Sequence, residues 1–169
     1  MVTIRSARVE DAPILASAEK ETARTPGYLV SRPHELRPEA FAAKIAALAT
    51  SGRYIVAEEE GRIVGHALLE PMSLEAVAHV YRLTIVVHPG QTRRGHGAAI
   101  MKDLLAWAAS SPKVGKIELL VRAVNAAAIA LYRHCGFVEE GRFKDHIRLE
   151  DGTFIDDVAM AWIPPTRKS

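Results

Sequence analysis

Apolar positions along this chain switch between a short period and a helical one, and the switches predict a definite order of elements. Thr3 to Arg8 reads as a short strand. Asp11 then offers an N-cap with Pro13 just inside it, and Ile14, Ala18 and Thr22 share one face of a first helix. A loop from Thr25 to Pro38, with three prolines and a glycine, separates it from a second helix over Pro38 to Thr50, where Phe41, Ile45 and Leu48 recur at i, i+4 and i+7. Tyr54 to Glu58 and Arg62 to Glu70 read as strands around a Glu59-Glu60-Gly61-Arg62 turn. Val80 to Val87 is another strand, with Tyr81, Leu83, Ile85 and Val87 on one face. A helix over His96 to Ala109 buries Ile100, Met101, Leu104, Leu105 and Ala108. Ile117 to Val121 is an apolar strand, and Asn125 caps a helix that ends before Gly136. Phe143 to Leu149 and Phe154 to Trp162 close the pattern as a hairpin around Glu150-Asp151-Gly152, Asp-Gly being a strong turn signal. The order β-αα-βββ-α-β-α-ββ predicts an α/β (mixed α+β) protein built on one mixed, mostly antiparallel sheet.

Length and composition narrow the class. The chain has 169 residues, the size of one domain spanning residues 1–169, and 49% of them are apolar, which suits a globular protein with its own core. There is one cysteine, Cys135, so no internal disulfide can form and a cytoplasmic, reducing location is expected. A net charge of +2 gives no basis for a nucleic-acid or membrane partner. Met1 to Ala12 carries four charges and lacks the apolar core of a signal peptide, and no apolar run approaches the ~20 residues of a membrane span. The seven histidines lack ligand spacing, so no metal is expected. Cys135 is expected to be a buried small hydrophobe, the His96 side chain to face solvent, and the tail from Pro164 to Ser169 to fray.

The most informative stretch joins the Val80–Val87 strand to the His96–Ala109 helix: Val87-His88-Pro89-Gly90-Gln91-Thr92-Arg93-Arg94-Gly95-His96-Gly97. Gly95 and Gly97 let the backbone turn tightly and a ligand approach it, Arg93 and Arg94 add positive charge, and the first helical turn presents unpaired N–H groups. A strand, a glycine-rich turn and a helix N-terminus together favour a phosphate. Gly97-Ala98-Ala99 is not the Gly-Lys-Ser/Thr of a Walker loop, and Ile100 stands where a dinucleotide fingerprint needs its third glycine. A second constellation runs from Asn125 to Phe137, with Asn125 and Tyr132 seven residues apart on one helical face.

The run Val87-x-Pro89-x5-Gly95-x-Gly97 resembles the acyl-CoA pyrophosphate loop of the GNAT superfamily of N-acetyltransferases, with Thr92 where that family usually has Gln or Arg. Asn-x2-Ala-x2-Leu-Tyr-x3-Gly-Phe, beginning at Asn125, resembles its second signature, and the element order resembles its fold over essentially the whole chain. The resemblance implies acetyl-CoA as co-substrate and direct transfer to a primary amine. It implies that Val86 and Val87 hold the thioester carbonyl through backbone N–H groups, and that Thr92, Arg93, Arg94, Gly95, His96, Gly97 and Ala98 cradle the pyrophosphate. It also implies that Asn125 binds the CoA arm and that Tyr132 is catalytic beside the sulfur. A phenol of pKa ~10 can protonate a leaving thiolate whose acid form has a pKa of about 8.5.

The acceptor amine must be neutral to attack. A lysine-like amine is neutral in about one molecule per 2,500 at pH 7, a peptide α-amine in roughly one in ten. Many family members carry a carboxylate on the strand before the loop, but Val80 to His88 has none, which leaves Glu70, His79 and Tyr81 as candidate relays. In the family, the loop between the first two helices and the last hairpin turn form the acceptor side. Here these hold Arg32, His34, Glu35 and Arg37, and Arg148, Glu150 and Asp151. Mixed charge of this kind implies a small polar amine, of amino-acid or polyamine type, with a protein N-terminus as the second choice. A homodimer is possible. A non-catalytic acyl-CoA-binding module and a nucleic-acid-binding protein are the alternatives from other classes.

Overall fold

Seven strands pair into one sheet in the order β1-β2-β3-β4-β5-β7-β6. The structure, a computed structural model, describes residues 1–167. Its elements are β1 (Thr3–Ser6), α1 (Ala12–Ala23), α2 (Pro38–Ser51), β2 (Arg53–Glu59), β3 (Arg62–Pro71), β4 (Val80–Val87), α3 (His96–Ser110), β5 (Lys116–Arg122), α4 (Ala126–His134), β6 (Val138–Arg148) and β7 (Phe154–Trp162). All neighbouring strands run antiparallel except β4 and β5. The expected fold class and element order are thus present. The β2–β3 turn sits where the sequence places it, with Glu60 and Gly61 both left-handed (φ 51° and 75°), as a two-residue hairpin turn requires.

Strand alternation gives the sheet two buried faces. Ile55, Ala57, Ala67, Leu69 and Leu83 pack with Ile100, Met101 and Leu104 of α3. Tyr54, Val56 and Leu68 point the opposite way, to Leu15 and Ala16 of α1 and Phe41, Ile45 and Leu48 of α2. The helices therefore sandwich the β1–β4 half of the sheet.

Several expectations are corrected. The buried stripe of α1 is Ala12, Leu15, Ala16 and Glu19, whereas Ile14 is exposed. Asp11 does not cap α1 with its side chain, because its carboxylate is held by Arg5 at 2.8 and 3.0 Å and by the Arg8 N–H at 2.7 Å. The strand expected from Phe143 begins at Val138; it is an edge strand, exposed along most of its length, and irregular pairing near Gly141 and Asp145 hides its period. The tail residues Pro165–Arg167 form a turn anchored by Arg167, whose guanidinium donates to the Gly115 carbonyl at 2.7 Å, and the last two residues lie outside the described part. Cys135 is half-buried against the core rather than sealed in it. No helix among the described residues is long and apolar enough to cross a membrane.

Candidate active site

The parallel pair β4–β5 is joined over a short stretch only: Val80 faces Lys116, Tyr81 faces Ile117 and Arg82 faces Glu118. Beyond Arg82 the two strands part, so β4 runs on to Val87 and β5 to Arg122 with a wedge between them. β4 stays paired with β3 up to Val87, which leaves its other edge open along the wedge. The His88 N–H donates to the Val64 carbonyl at 2.9 Å. Alternation then turns the amide of Val86 toward β3 and those of Ile85 and Val87 toward the open edge.

At the mouth of the wedge the chain turns into α3. Gly90, Arg93 and Gly95 all have positive φ (79°, 62° and 82°), and Arg93 is a non-glycine residue held in the left-handed region, which is a mark of a constrained loop. Gly95 is the N-cap of α3, and no side chain caps this helix. A Cβ on Gly95 would meet nothing within 4 Å. An uncapped helix start, bare N–H groups and open space above a left-handed glycine fit an anionic group such as the CoA pyrophosphate. Gly97 has a packing reason as well, since a Cβ there would come within 3.1 Å of Leu131 on α4. Thr92 and Arg93 are exposed on the loop, and Ala98 is exposed in the first turn of α3.

His96 differs from the expectation of a solvent-facing side chain, and Arg94, though exposed, is already engaged. Arg94 donates to Gln91 at 2.8 Å and lies 3.2 Å from Glu59, at the end of β2. His96 is buried, 3% exposed, with Nε2 at 3.6 Å from the same carboxylate. Glu59 therefore ties the underside of the loop to the β2–β3 hairpin. His96 faces inward because α3 starts at this residue and its first turn lies against the sheet.

α4 brings up the other wall. Asn125 is its N-cap; Oδ1 accepts from the Ala128 N–H at 3.3 Å, which leaves the side-chain NH2 as a donor. The helix ends in a six-residue cap: the Phe137 N–H donates to the Tyr132 carbonyl and the Gly136 N–H to the Arg133 carbonyl, both at 3.0 Å, with Gly136 at φ 95°. That cap places Phe137 against the Tyr132 ring, centroids 5.8 Å apart. Burial pushes the Tyr132 hydroxyl up to about 12, while the positive charge of Arg122 pulls the other way. Arg122, at the end of β5, is buried with Asp157 of β7, Nε to Oδ1 2.6 Å. The second carboxylate oxygen of Asp157 is buried with no partner. Nothing in the sequence pattern singled out this pair, because Arg122 ends an apolar strand and Asp157 sits in a strand beside Asp156.

The candidate proton relays do not gather at the wedge. Glu70 binds Lys44 at 2.6 Å and faces Arg82 in the pairing, at the closed end of β4–β5. Tyr81 is buried against Trp107 on the α3 side, and His79 lines a cavity of about 480 Å³ near the end of α3. Among the described residues, no cluster of three His, Cys, Asp or Glu side chains could hold a metal.

The loop between α1 and α2 reaches across to the last hairpin. Gly27 is buried close to Val124 and Ile155, and Arg32 donates to the Arg148 carbonyl at 3.4 Å. Glu35 accepts from the Arg32 N–H and Asp151 from Thr153, so both carboxylates serve their own turns.

Residues 17–137 match the acetyltransferase (GNAT) family. The chain is 31% identical over 109 residues to the L-amino acid N-acetyltransferase AaaT of Escherichia coli K12, a match covering 64% of this chain and 67% of that protein. It is 31% identical over 112 residues to the N-alpha-acetyltransferase RimI of Mycobacterium tuberculosis, covering 66% and 67%. Among solved structures, an acetyltransferase of the GNAT family from Streptococcus pneumoniae superposes with TM-score 0.88 at 25% identity, covering 96% of this chain and 99% of that one. The chain belongs to the GNAT family and is an N-acetyltransferase that uses acetyl-CoA as acyl donor.

Proposed function

We propose that acetyl-CoA lies in the β4–β5 wedge and that the acceptor is a small polar amine of amino-acid type. The observation that carries the donor site is the open edge of β4, which ends at the uncapped start of α3. In this reading the N–H groups from Gly95 to Ala98 hold the pyrophosphate. The amides of Ile85 and Val87 bind the acyl-pantetheine arm as a missing strand would, with the Val87 amide on the thioester carbonyl. The Asn125 NH2 group donates to the same arm.

Tyr132 serves the leaving group. Transfer of its proton from about 12 to a thiolate whose acid form lies near ~8.5 is uphill by about 5 kcal/mol. The hydroxyl therefore acts as a hydrogen-bond donor to the sulfur as charge develops, and the proton that completes the thiol comes from solvent. Both substrates sit in one site, so the amine attacks the thioester directly and no acyl-enzyme is required.

The small acceptor is supported by the way the α1–α2 loop lies down on the β5 and β7 ends at Gly27, Val124 and Ile155. That contact narrows the acceptor face. Arg37 and Arg148 then offer cationic groups suited to a substrate carboxylate. Of the two relatives described above, one is named for amino acids and the other for N-alpha acetylation, and a peptide N-terminus is the second reading. A thiol-release assay with acetyl-CoA and a panel of amino acids, polyamines, aminoglycosides and short peptides tests it. Turnover confined to peptides overturns the acceptor assignment, and acetyl-CoA binding without turnover of any amine favours a regulatory module.

A further inference from the structure

A chain of three titratable side chains lies sealed between α1 and the sheet, away from the wedge. Glu19 Oε1 is 2.8 Å from His66 Nε2, His66 Nδ1 is 2.8 Å from His88 Nε2, and His88 Nδ1 is 3.2 Å from the Ile63 carbonyl oxygen. The three residues are 8%, 0% and 6% exposed. The Tyr54 ring stacks over His66 at 6.3 Å, and Phe41 meets its edge at 6.4 Å.

The protons in this chain can be counted. A carbonyl only accepts, so His88 Nδ1 carries a hydrogen. A neutral His88 then presents a lone pair at Nε2, which makes His66 Nδ1 the donor. At the far end, Glu19 and His66 Nε2 share one proton, as a carboxylate with an imidazolium or as a carboxylic acid with a neutral ring. In either form the chain has no net charge, and the His66–His88 and His88–Ile63 bonds both point toward Ile63. Without the shared proton a carboxylate would face a lone pair.

His88 is the first residue past β4 and opens the loop that leads to Gly95. Its N–H donates to Val64, and its carbonyl accepts from the Gln91 N–H at 3.0 Å. With both ring nitrogens also engaged, all four of its polar atoms are held. Apolar side chains would fill the same space without desolvating a carboxylate and two imidazoles. The polar chain is therefore explained by what it holds.

We propose that Glu19, His66 and His88 form a positioning chain that fixes the start of the β4–α3 loop in the conformation that binds acetyl-CoA. None of the three touches the reacting atoms. The inference rests on the reading that this loop holds acetyl-CoA, and the test separates the two. What the chain transmits is donor direction. His66→Phe, which removes the donor to His88, should raise the KM for acetyl-CoA at least tenfold and leave kcat at saturating acetyl-CoA within threefold. His66→Asn, whose amide can donate from nearly the position of Nδ1, should keep that KM within threefold of the parent. Glu19→Gln can donate to a neutral His66 and should do the same, whereas Glu19→Leu should behave like His66→Phe.

Gly95→Asn serves as the control for the loop. Asparagine tolerates positive φ, and its side chain would stand in the open space above Gly95. If Gly95→Asn leaves the KM for acetyl-CoA unchanged, the loop reading itself fails. If Gly95→Asn weakens acetyl-CoA but a folded His66→Phe does not, or if His66→Phe lowers kcat alone, the positioning chain is wrong and the loop reading stands. Should His66→Phe fail to fold, nitrogen-15 NMR of the histidines in the unsubstituted protein decides at neutral pH. The inference requires a hydrogen on Nδ1 of His88 and none on its Nε2, and the opposite tautomer overturns it.

Discussion

The Tyr132 ring is held in place by the way α4 stops. Gly136 adopts φ 95° and sends Phe137 back under the ring, so the phenol is fixed by a helix cap. Tyr132→Phe keeps that packing and removes one donor, and kcat should fall about 10²-fold, with the KM for acetyl-CoA little changed. Steady-state rates check this, and a loss under threefold would assign the leaving thiolate to water alone. Gly136→Ala acts on the same residue from behind. It places a Cβ at a left-handed position and should cost about 1–2 kcal/mol, read as a lower denaturant midpoint, together with a fall in kcat as the ring shifts. A third residue-scale outcome concerns Asp157, which is buried with Arg122. Asp157→Ala leaves a buried guanidinium without its partner and should destabilise by about 3–5 kcal/mol, whereas Arg122→Met with Asp157→Leu should recover most of that loss. Thermal melts of the two variants separate these outcomes.

At the scale of elements, the order and kind of every helix and strand were legible, because each carries a clear period or a clear stop. Two of the departures described above have clear physical causes. In α1 the stripe through Ile14 offers one large apolar side chain, but the helix is oriented by Leu15, which is fully buried, and by Glu19, whose carboxylate has a partner waiting in His66. Hydropathy does not register a glutamate that belongs inside. In β6 the residues from Val138 to Arg142 look like loop because this edge strand has one neighbour and little to bury. The site shows the same division. The glycine loop and the Asn125–Tyr132 face could be read from spacing within one segment. Glu59 beneath the loop, the Arg122–Asp157 pair and the Glu19–His66–His88 chain join segments far apart in sequence, and their side chains meet only once strands are in register. The one available hint was His66, a lone titratable residue inside the apolar run Ile63 to Leu69.

For the molecule as a whole, the buried histidine has a thermodynamic signature. Burial, and next the charge of His66, lower His88 from 6.5 to about 4. The unfolded chain takes up a proton there as pH falls below 6.5, while the folded protein does not until near 4. The stability this residue confers is therefore complete above pH 6.5 and drains away toward pH 4, by about 3 kcal/mol in all. Asp11, held down by Arg5, adds a further loss that begins as pH falls through the usual carboxylate range and is complete only below it. Denaturant midpoints measured from pH 7.5 to 4 should trace this decline, and His88→Gln should flatten it. The parting of β4 and β5 carries a different consequence. A sheet interrupted at its middle leaves main-chain amides that face water in the free protein, so their protons should trade with deuterium quickly despite lying between two long strands. If acetyl-CoA takes the place of the absent neighbour, Ile85 and Val87 should become slow to exchange when it binds. Val86, already turned toward β3, should be slow throughout, which gives the wedge an alternating signature in time as well as in space.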